Sequence, residues 1–447
     1  MQVTGIICEY NPFHNGHKKQ LDEIKNSAED AAIVCIMSGD FVQRGEVSLL
    51  DKYKRAGLAL KNGADLVVEL PSRYVLSSAE GFAYGGISLL SQMVVVDQLS
   101  FGANHTDPSL YKKASLLLNN EDSSFQETLT QALSKGDSYP KARELALKNA
   151  LIREGMDSKT IDSFLHSPND QLGLEYQKAI DSLNSSIEIK PFHRVGADHF
   201  DQKIVDSTAS GSYIRKQILE NHSLKGLTDV LPQDTQKALQ DGLDHKTLLS
   251  SKDLSLPLNY QLMQLFSSYG SASDLSFDLT NDSPMEGQAK SSRKILQEII
   301  GDSKTDQELM SRLLRVYLSY PDFSELAEQV KSKNVTHSHI TRLFCRILLQ
   351  QLSHPMDEKK RMVYISPGYL HVLGFTDLGK ELLGRIRKES NLPIIVNPAS
   401  DGRLLDPKQR VLLDEDIEAS NLARLLRQKN SGIPEVPEVS RRFIPIP

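Results

Sequence analysis

The sequence predicts an α/β protein, a doubly wound parallel sheet in the first half followed by a mostly helical C-terminal half. Three observations carry this. Apolar runs of strand length alternate with helical stretches through the first third of the chain. Those runs are apolar on nearly every residue, as strands covered on both faces must be. Beyond about residue 222 strand signals nearly vanish.

Val3 to Cys8 reads as the first strand, followed by a turn rich in Asn, Pro and Gly and a helix from about His17 to Ile24. Ala32 to Met37 is the second apolar run, and Leu49 to Leu60 reads as a helix. Asp65 to Pro71 is a third strand closed by proline, Ala79 to Leu90 a helix, and Val94 to Phe101 a fourth strand. Ser109 to Leu183 is helical; a short strand, Ile187 to Ile189, leads through a loop to a helix beginning near Ser210. Segments 306–318, 323–333 and 339–352 show helical apolar spacing, and Leu392 to Val396 reads as a strand in a compact mixed segment, 363–415. Four prolines among the last fourteen residues predict an extended tail. The expected organisation is a catalytic domain over 1–221, a helical domain over 222–430 and a Pro-rich tail over 431–447.

With 447 residues, 39% hydrophobic and 25% charged, the chain is long enough for two or three folded domains. A net charge of −6 argues against a surface coated in phosphate-binding charge and leaves room for a local basic face. Cys8, Cys35 and Cys345 form no CxxC pair and lack zinc-spaced histidines, and Cys8 and Cys35, inside apolar strand-like runs, are expected to be buried reduced thiols. With no charged leader and no run of about 18 apolar residues, a cytoplasmic location with no membrane partner is expected.

In a parallel sheet, ligands bind beyond the carboxyl ends of the strands. The segment Glu9-Tyr10-Asn11-Pro12-Phe13-His14-Asn15-Gly16-His17 lies there, between the first strand and first helix. Free N–H groups and the helix dipole favour an anion at such a place. His14 and His17 can face one ligand and neutralise charge growing on an α-phosphate, while Gly16 removes a Cβ where a flat base would lie. Alone, the motif could be a pair of surface or capping histidines; its strand–turn–helix context favours nucleotide binding.

This pattern resembles the HxGH nucleotidylyltransferase superfamily. With Met37 to Gly45, Gly63 to Pro71, Ser167 to Gly173 and Ser210 to Arg215, it is similar to the bacterial tRNA(Met) cytidine acetate ligase family over nearly the whole chain. The resemblance implies a Rossmann-like first domain and an enzyme that forms acetyl-adenylate from acetate and ATP. The acetyl group would then pass to N4 of the wobble cytidine in the anticodon loop of elongator tRNA(Met). ATP is then a substrate, accompanied by Mg2+. Carried over, Ile7, Cys8, Glu9, Tyr10, Asn11, Pro12, Phe13, His14, Asn15, Gly16, His17, Lys18, Lys19 and Gln20 would wrap the ATP. Gly102, Arg194 and either Asn169 or Asp170 would complete the pocket, and Ser212 and Arg215 would hold the departing pyrophosphate. His14, His17 and Arg215 are the expected catalytic residues, acting by charge stabilisation; no metal ligand is assigned. Two departures stand out: Ala103-Asn104 follows Gly102 where Ser-Glu is expected, and His199-Phe200-Asp201 stands near a usual Tyr-His-Asp.

Other features are weaker. Gly374 to Lys380 has P-loop spacing, but Glu381 stands where Ser or Thr should bind magnesium, so a turn before a helix is the reading. Asp40 could orient a substrate or a magnesium ion, although a Gly-Asp turn is the simpler account. Gln43-Arg44-Gly45, Lys52 and Arg55 follow the second strand beside the crevice and could contact phosphates or RNA, while Lys52 and Arg55, three apart on a helix, could equally form a solvated face. Lys331 to Arg361 holds seven Lys/Arg against two acids, and Arg342 and Arg346 within it are candidates for tRNA. The alternatives to the ligase are a small-molecule adenylyltransferase and a catalytically silent RNA- or nucleotide-binding protein.

Overall fold

The computed structural model describes every residue except 138, 194–207, 267–287, 302, 333–334, 356–361 and 442–447. The described residues contain nine strands: β1 Gln2–Cys8, β2 Ala31–Ser38, β3 Phe41–Val42, β4 Glu46–Val47, β5 Leu66–Leu70, β6 Gln98–Ala103, β7 Glu188–His193, β8 Leu370–Phe375 and β9 Ile394–Ile395. Seven of them form one sheet in the order β7-β6-β1-β2-β5-β8-β9, and β3 and β4 make a small hairpin. Every neighbouring pair in the large sheet is parallel except β5 with β8. This is the doubly wound sheet the sequence predicts.

The strands are apolar on both faces because both are covered. Along β2, Ala32, Val34 and Ile36 join one core, while Ile33, Cys35 and Met37 join the other, the period-2 alternation of a strand. The first core packs under helices Ala79–Gln92 and Pro168–Ser182; the second packs under α1 (Asn15–Ser27), α2 (Lys52–Lys61) and helix Gly211–Asn221. A third core, centred on Leu258, Leu262, Leu326 and Phe344, sits among the C-terminal helices and takes in Phe41 and Val47 of the hairpin. Cys8 and Cys35 are buried and free, as expected, and so is Cys345.

Three expectations change. β6 starts at Gln98 instead of Val94, because Val94 turns left-handed (φ 66°) after helix Ala79–Gln92 and stands 60% exposed. The mixed segment 363–415 does not stay with the helical region: β8 and β9 extend the first sheet from the free edge of β5. The chain therefore returns to its N-terminal half, and a clean boundary near residue 221 does not describe the sheet. The described part of the tail, as far as Arg441, is docked on the protein. Glu438 is only 3% exposed, and its carboxylate meets the Lys52 ammonium at 2.8 Å. The Gly374–Glu381 segment is the end of β8, a Thr376 cap and the helix Asp377–Glu389, in line with rejection of a P-loop. No helix among the described residues is long and apolar enough to cross a membrane.

Candidate active site

A cavity of about 850 Å³ opens at the carboxyl ends of β1, β6 and β7. His14 caps α1, and its cap is reciprocal. Gly16 N–H donates to His14 Nδ1 at 3.1 Å, and His14 N–H donates to His17 Nδ1 at 3.3 Å. A neutral imidazole that accepts at one nitrogen carries its proton on the other. The cap therefore places the proton on Nε2 of both rings, making each a fixed hydrogen-bond donor. The rings stack 3.7 Å apart at 21°, and His17 rests on Tyr10 at 4.8 Å and Phe13 at 5.6 Å. A Cβ on Gly16 would stand 3.0 Å from His14 Cε1, so the neighbour this glycine admits is the His14 ring.

The opposite wall begins two hundred residues later. Ser210 caps helix Gly211–Asn221, accepting from Tyr213 N–H at 3.2 Å, and its hydroxyl lies 3.2 Å from that of Ser212. Arg215, in the same first turns, donates to the Asn11 carbonyl at 2.8 Å and pairs with Glu46 at 3.2 Å. A Cβ on Gly211 would lie 3.1 Å from the Asn11 carbonyl oxygen, so the glycine allows the two motifs to approach. His14, His17, Ser212 and Arg215 thus line one cavity, as the sequence reading expects.

Glu9 lies between them. Its Oε1 accepts the Gln43 N–H at 2.6 Å. Burial pushes its carboxyl above the ordinary value, against the opposing pull of that N–H and of Arg215, Arg55 and Arg44.

Of the remaining nucleotide candidates, Ile7, Cys8, Tyr10, Asn11, Lys19, Gln20, Gly102 and Asn169 also line the cavity. Pro12, Phe13, Asn15 and Lys18 do not. Phe13 is wholly buried beneath the histidines, the Asn15 amide reaches the Asp229 carbonyl at 2.8 Å, and Lys18 pairs with Asp22 at 2.7 Å. Gln20 donates to Ser100 at 3.1 Å, tying α1 to β6. Between Asn169 and Asp170, Asn169 faces the cavity. Asp170 is fully buried and accepts from Asn104 N–H (3.1 Å), His105 N–H (3.2 Å) and the Tyr111 hydroxyl (2.6 Å), so it shapes the loop after β6. Arg194 and the departure at His199-Phe200 lie outside the described residues.

The basic candidates on α2 need correction. Lys52 and Arg55 are fully buried, so neither forms a solvated face nor offers charge to RNA. The Lys52 ammonium meets Glu69 at 2.8 Å and Glu438 at 2.8 Å, and Arg55 donates to the carbonyls of Glu9, Ser38, Gly39 and Leu50. Arg342 and Arg346 are likewise engaged inside the protein. Arg342 donates to the Gln43 carbonyl at 3.1 Å, fastening helix His337–Leu348 to the 39–47 loop, and Arg346 donates to Asp306 at 2.8 Å, fastening it to helix Lys304–Val316. Asp40, 2% exposed, accepts from Lys52 N–H at 3.1 Å and faces Arg427 at 3.5 Å: a buried turn residue with no opening to a substrate. Gln43 and Arg44 do reach the cavity, as do Phe82, Tyr176, Phe192 and Thr208, which the sequence reading did not single out. One of these was within reach, since Phe192 pairs with Gly102 across β6 and β7.

The family described as HIGH Nucleotidyl Transferase matches residues 1–434. The tRNA(Met) cytidine acetate ligase of Clostridium novyi is 33% identical over 394 residues, covering 88% of this chain and 89% of that protein. The ligase of the same description from Thermoanaerobacter sp. (strain X514) is 33% identical over 434 residues, 97% of each chain. The chain belongs to the tRNA(Met) cytidine acetate ligase family. Among solved structures of this family, apo TmcAL from Thermotoga maritima superposes with a TM-score of 0.83 at 26% identity, covering 100% of both chains. TmcAL from the same organism bound with alpha-thio ATP superposes with a TM-score of 0.76 at 27% identity, covering 99% of this chain and 97% of that one.

Proposed function

We propose that the protein is an ATP-dependent acetate ligase. It forms acetyl-adenylate, then transfers acetyl to N4 of the wobble cytidine of elongator tRNA(Met), releasing pyrophosphate and AMP. The observation that carries this reading is that His14 and His17, held by the α1 cap, line one cavity with Ser212 and Arg215 from helix Gly211–Asn221. Adenylation needs no protein nucleophile: acetate attacks the α-phosphorus directly, and catalysis consists of positioning and charge stabilisation. His14 and His17 would hold the growing negative charge on the α-phosphate, and Arg215 and Ser212 would take the departing pyrophosphate. Ile7, Cys8, Tyr10, Asn11, His14, Gly16, His17, Lys19, Gln20, Gly102 and Asn169, which line the cavity, remain with Arg194 the proposed nucleotide-binding set.

Magnesium would enter on the triphosphate. Among the described residues no three acidic, His or Cys groups cluster to hold a metal. Mg2+ bound to nucleotide needs only phosphate oxygens, waters and one or two protein oxygens, so the cavity is compatible with it. Its charge would be shared with the phosphates, and the donors named above need no change.

The base to be modified sits in the anticodon loop, where unstacked bases enter a pocket at low cost. We assign the grip on the tRNA body to the helical region following residue 222, in a cytoplasmic enzyme; Arg44 at the cavity mouth is the remaining basic contact of the original set. The test is incubation with ATP and labelled acetate, with and without elongator tRNA(Met). Acetate-dependent pyrophosphate release with label on the tRNA is the expected result. Pyrophosphate release that requires another acceptor would make the protein a small-molecule adenylyltransferase, and no turnover would make it a binding protein.

A further inference from the structure

Acetyl transfer from the adenylate to a cytidine amine has a requirement that adenylation lacks. The N4 lone pair is delocalised into the ring, so as the new C–N bond forms the nitrogen becomes cationic and must lose a proton. The histidines of the motif are poorly placed to take it. In each, Nδ1 already accepts a backbone N–H and Nε2 carries the hydrogen. Three carboxylates line the cavity among the described residues, Glu9, Asp22 and Glu23. Glu23 is exposed on the rim, and Asp22, 49% exposed, is paired with Lys18 at 2.7 Å. Glu9 differs from both. One oxygen is fixed by the Gln43 N–H at 2.6 Å, and no hydrogen bond within the described protein engages the other, Oε2.

We infer that Glu9 is the base that removes the N4 proton of the incoming cytidine, a role that rests on the ligase reading above. In this step the N4 lone pair forms the bond to the acetyl carbon, and the N4 proton passes to the Glu9 carboxylate. The acetyl C–O bond to the phosphate breaks, with its electron pair leaving on AMP; Glu9 then releases its proton to solvent. A carboxylate inside a triphosphate pocket repels the very anion the pocket binds, which a purely nucleotide-binding surface would avoid. Arg44, Arg55 and Arg215 face Glu9 and offset that repulsion while leaving its second oxygen available. Burial also makes this carboxylate a stronger base than one in water, in the direction the step needs.

The test separates the two half-reactions in Glu9→Gln, which keeps an oxygen acceptor for the Gln43 N–H but cannot take a proton. Exchange of labelled pyrophosphate into ATP, dependent on acetate and run without tRNA, reports adenylation alone. Single-turnover transfer of labelled acetate to elongator tRNA(Met) reports the second step. The expected result is exchange close to wild type, an unchanged melting temperature, and transfer slower by about 100-fold or more. Parallel loss of exchange and transfer would overturn the proposal, placing Glu9 in nucleotide binding. So would unchanged transfer, or selective loss of transfer in His193→Gln alone, which would move the base to the exposed histidine at the cavity rim. Absence of acetate-dependent exchange in the wild-type protein would instead refute the ligase reading itself.

Discussion

At the carboxyl end of β1, His14, His17, Glu9 and Arg215 surround an open cavity; two strands along the sheet, Lys52, Glu69, His371 and Glu438 surround one another. Both groups are charged and largely shielded from water, yet the second leaves nothing for a ligand. Glu69 takes both the Lys52 ammonium at 2.8 Å and His371 Nδ1 at 2.6 Å, and Glu438 closes the other side of Lys52. In the first group the backbone supplies the partners: Gly16 N–H, His14 N–H, Gln43 N–H and the Asn11 carbonyl each occupy one atom of a side chain. A side chain half-satisfied by backbone presents a fixed polar atom to a cavity; one fully satisfied by other side chains holds the fold together.

The sharpest way to break this contrast is Lys52→Met. It removes the cation from two buried carboxylates, and leaving buried charge unpaired costs about 3–5 kcal/mol. Denaturant unfolding should show a loss of that size, and a change below about 1 kcal/mol would mean the cluster is not what stabilises this region.

Next in size is His17→Ala, expected to cost roughly 3–4 kcal/mol of transition-state stabilisation in acetate-dependent pyrophosphate exchange. Because His17 also completes the α1 cap, His17→Gln is the control. Glutamine at this third helical position keeps the cap, so melting should stay near wild type while exchange remains slow. Restored exchange in His17→Gln would reduce the histidine to a capping residue.

The smallest effect is a difference in sign with pH. Burial alone would raise the Glu69 carboxyl, but the Lys52 ammonium and the adjacent His371 imidazole overcome it and hold the group at about 2. A carboxyl held below its unfolded value contributes stability that is complete above the unfolded pKa of about 4.3 and drains as pH falls toward 2. Glu9 is shifted upward, so its native state holds the proton more tightly than the unfolded chain, and its ionisation costs stability as pH rises. Urea midpoints measured from pH 5 to pH 3 should fall, and Glu69→Gln should flatten that fall while Glu9→Gln should not. Equal slopes in all three proteins would show that the two carboxylates do not differ as described.

The parallel sheet was legible because β1, β2 and β5 are apolar on both faces, and the motif was legible because His14 and His17 stand at a strand–helix junction. What escaped sequence reading depended on partners far away in the chain. Lys52 and Arg55 sit three apart on a helix, a spacing that ordinarily marks a wet face. Their burial is set by Glu69, by Glu438 nearly four hundred residues later and by carbonyls of the first two loops. β8 was hidden because its glycine-bearing end mimics a phosphate loop, and because an antiparallel edge strand needs only a neighbour, which the sequence places three hundred residues earlier. In the site, Phe82, Tyr176 and Phe192 carry no motif; only the strand order brings them to the cavity wall.

That strand order has a consequence in time. Ribosomal synthesis delivers β1, β2 and β5 early, but the strand that covers the edge of β5 is Leu370–Phe375, itself followed outward by Ile394–Ile395. Until they emerge, the nascent N-terminal half carries a bare strand edge able to pair with a neighbouring chain. Sheet closure and docking of Glu438 onto Lys52 therefore come last in the vectorial order of folding, and a ribosome stalled before residue 370 would leave a product with its nucleotide motif made and its sheet unsealed.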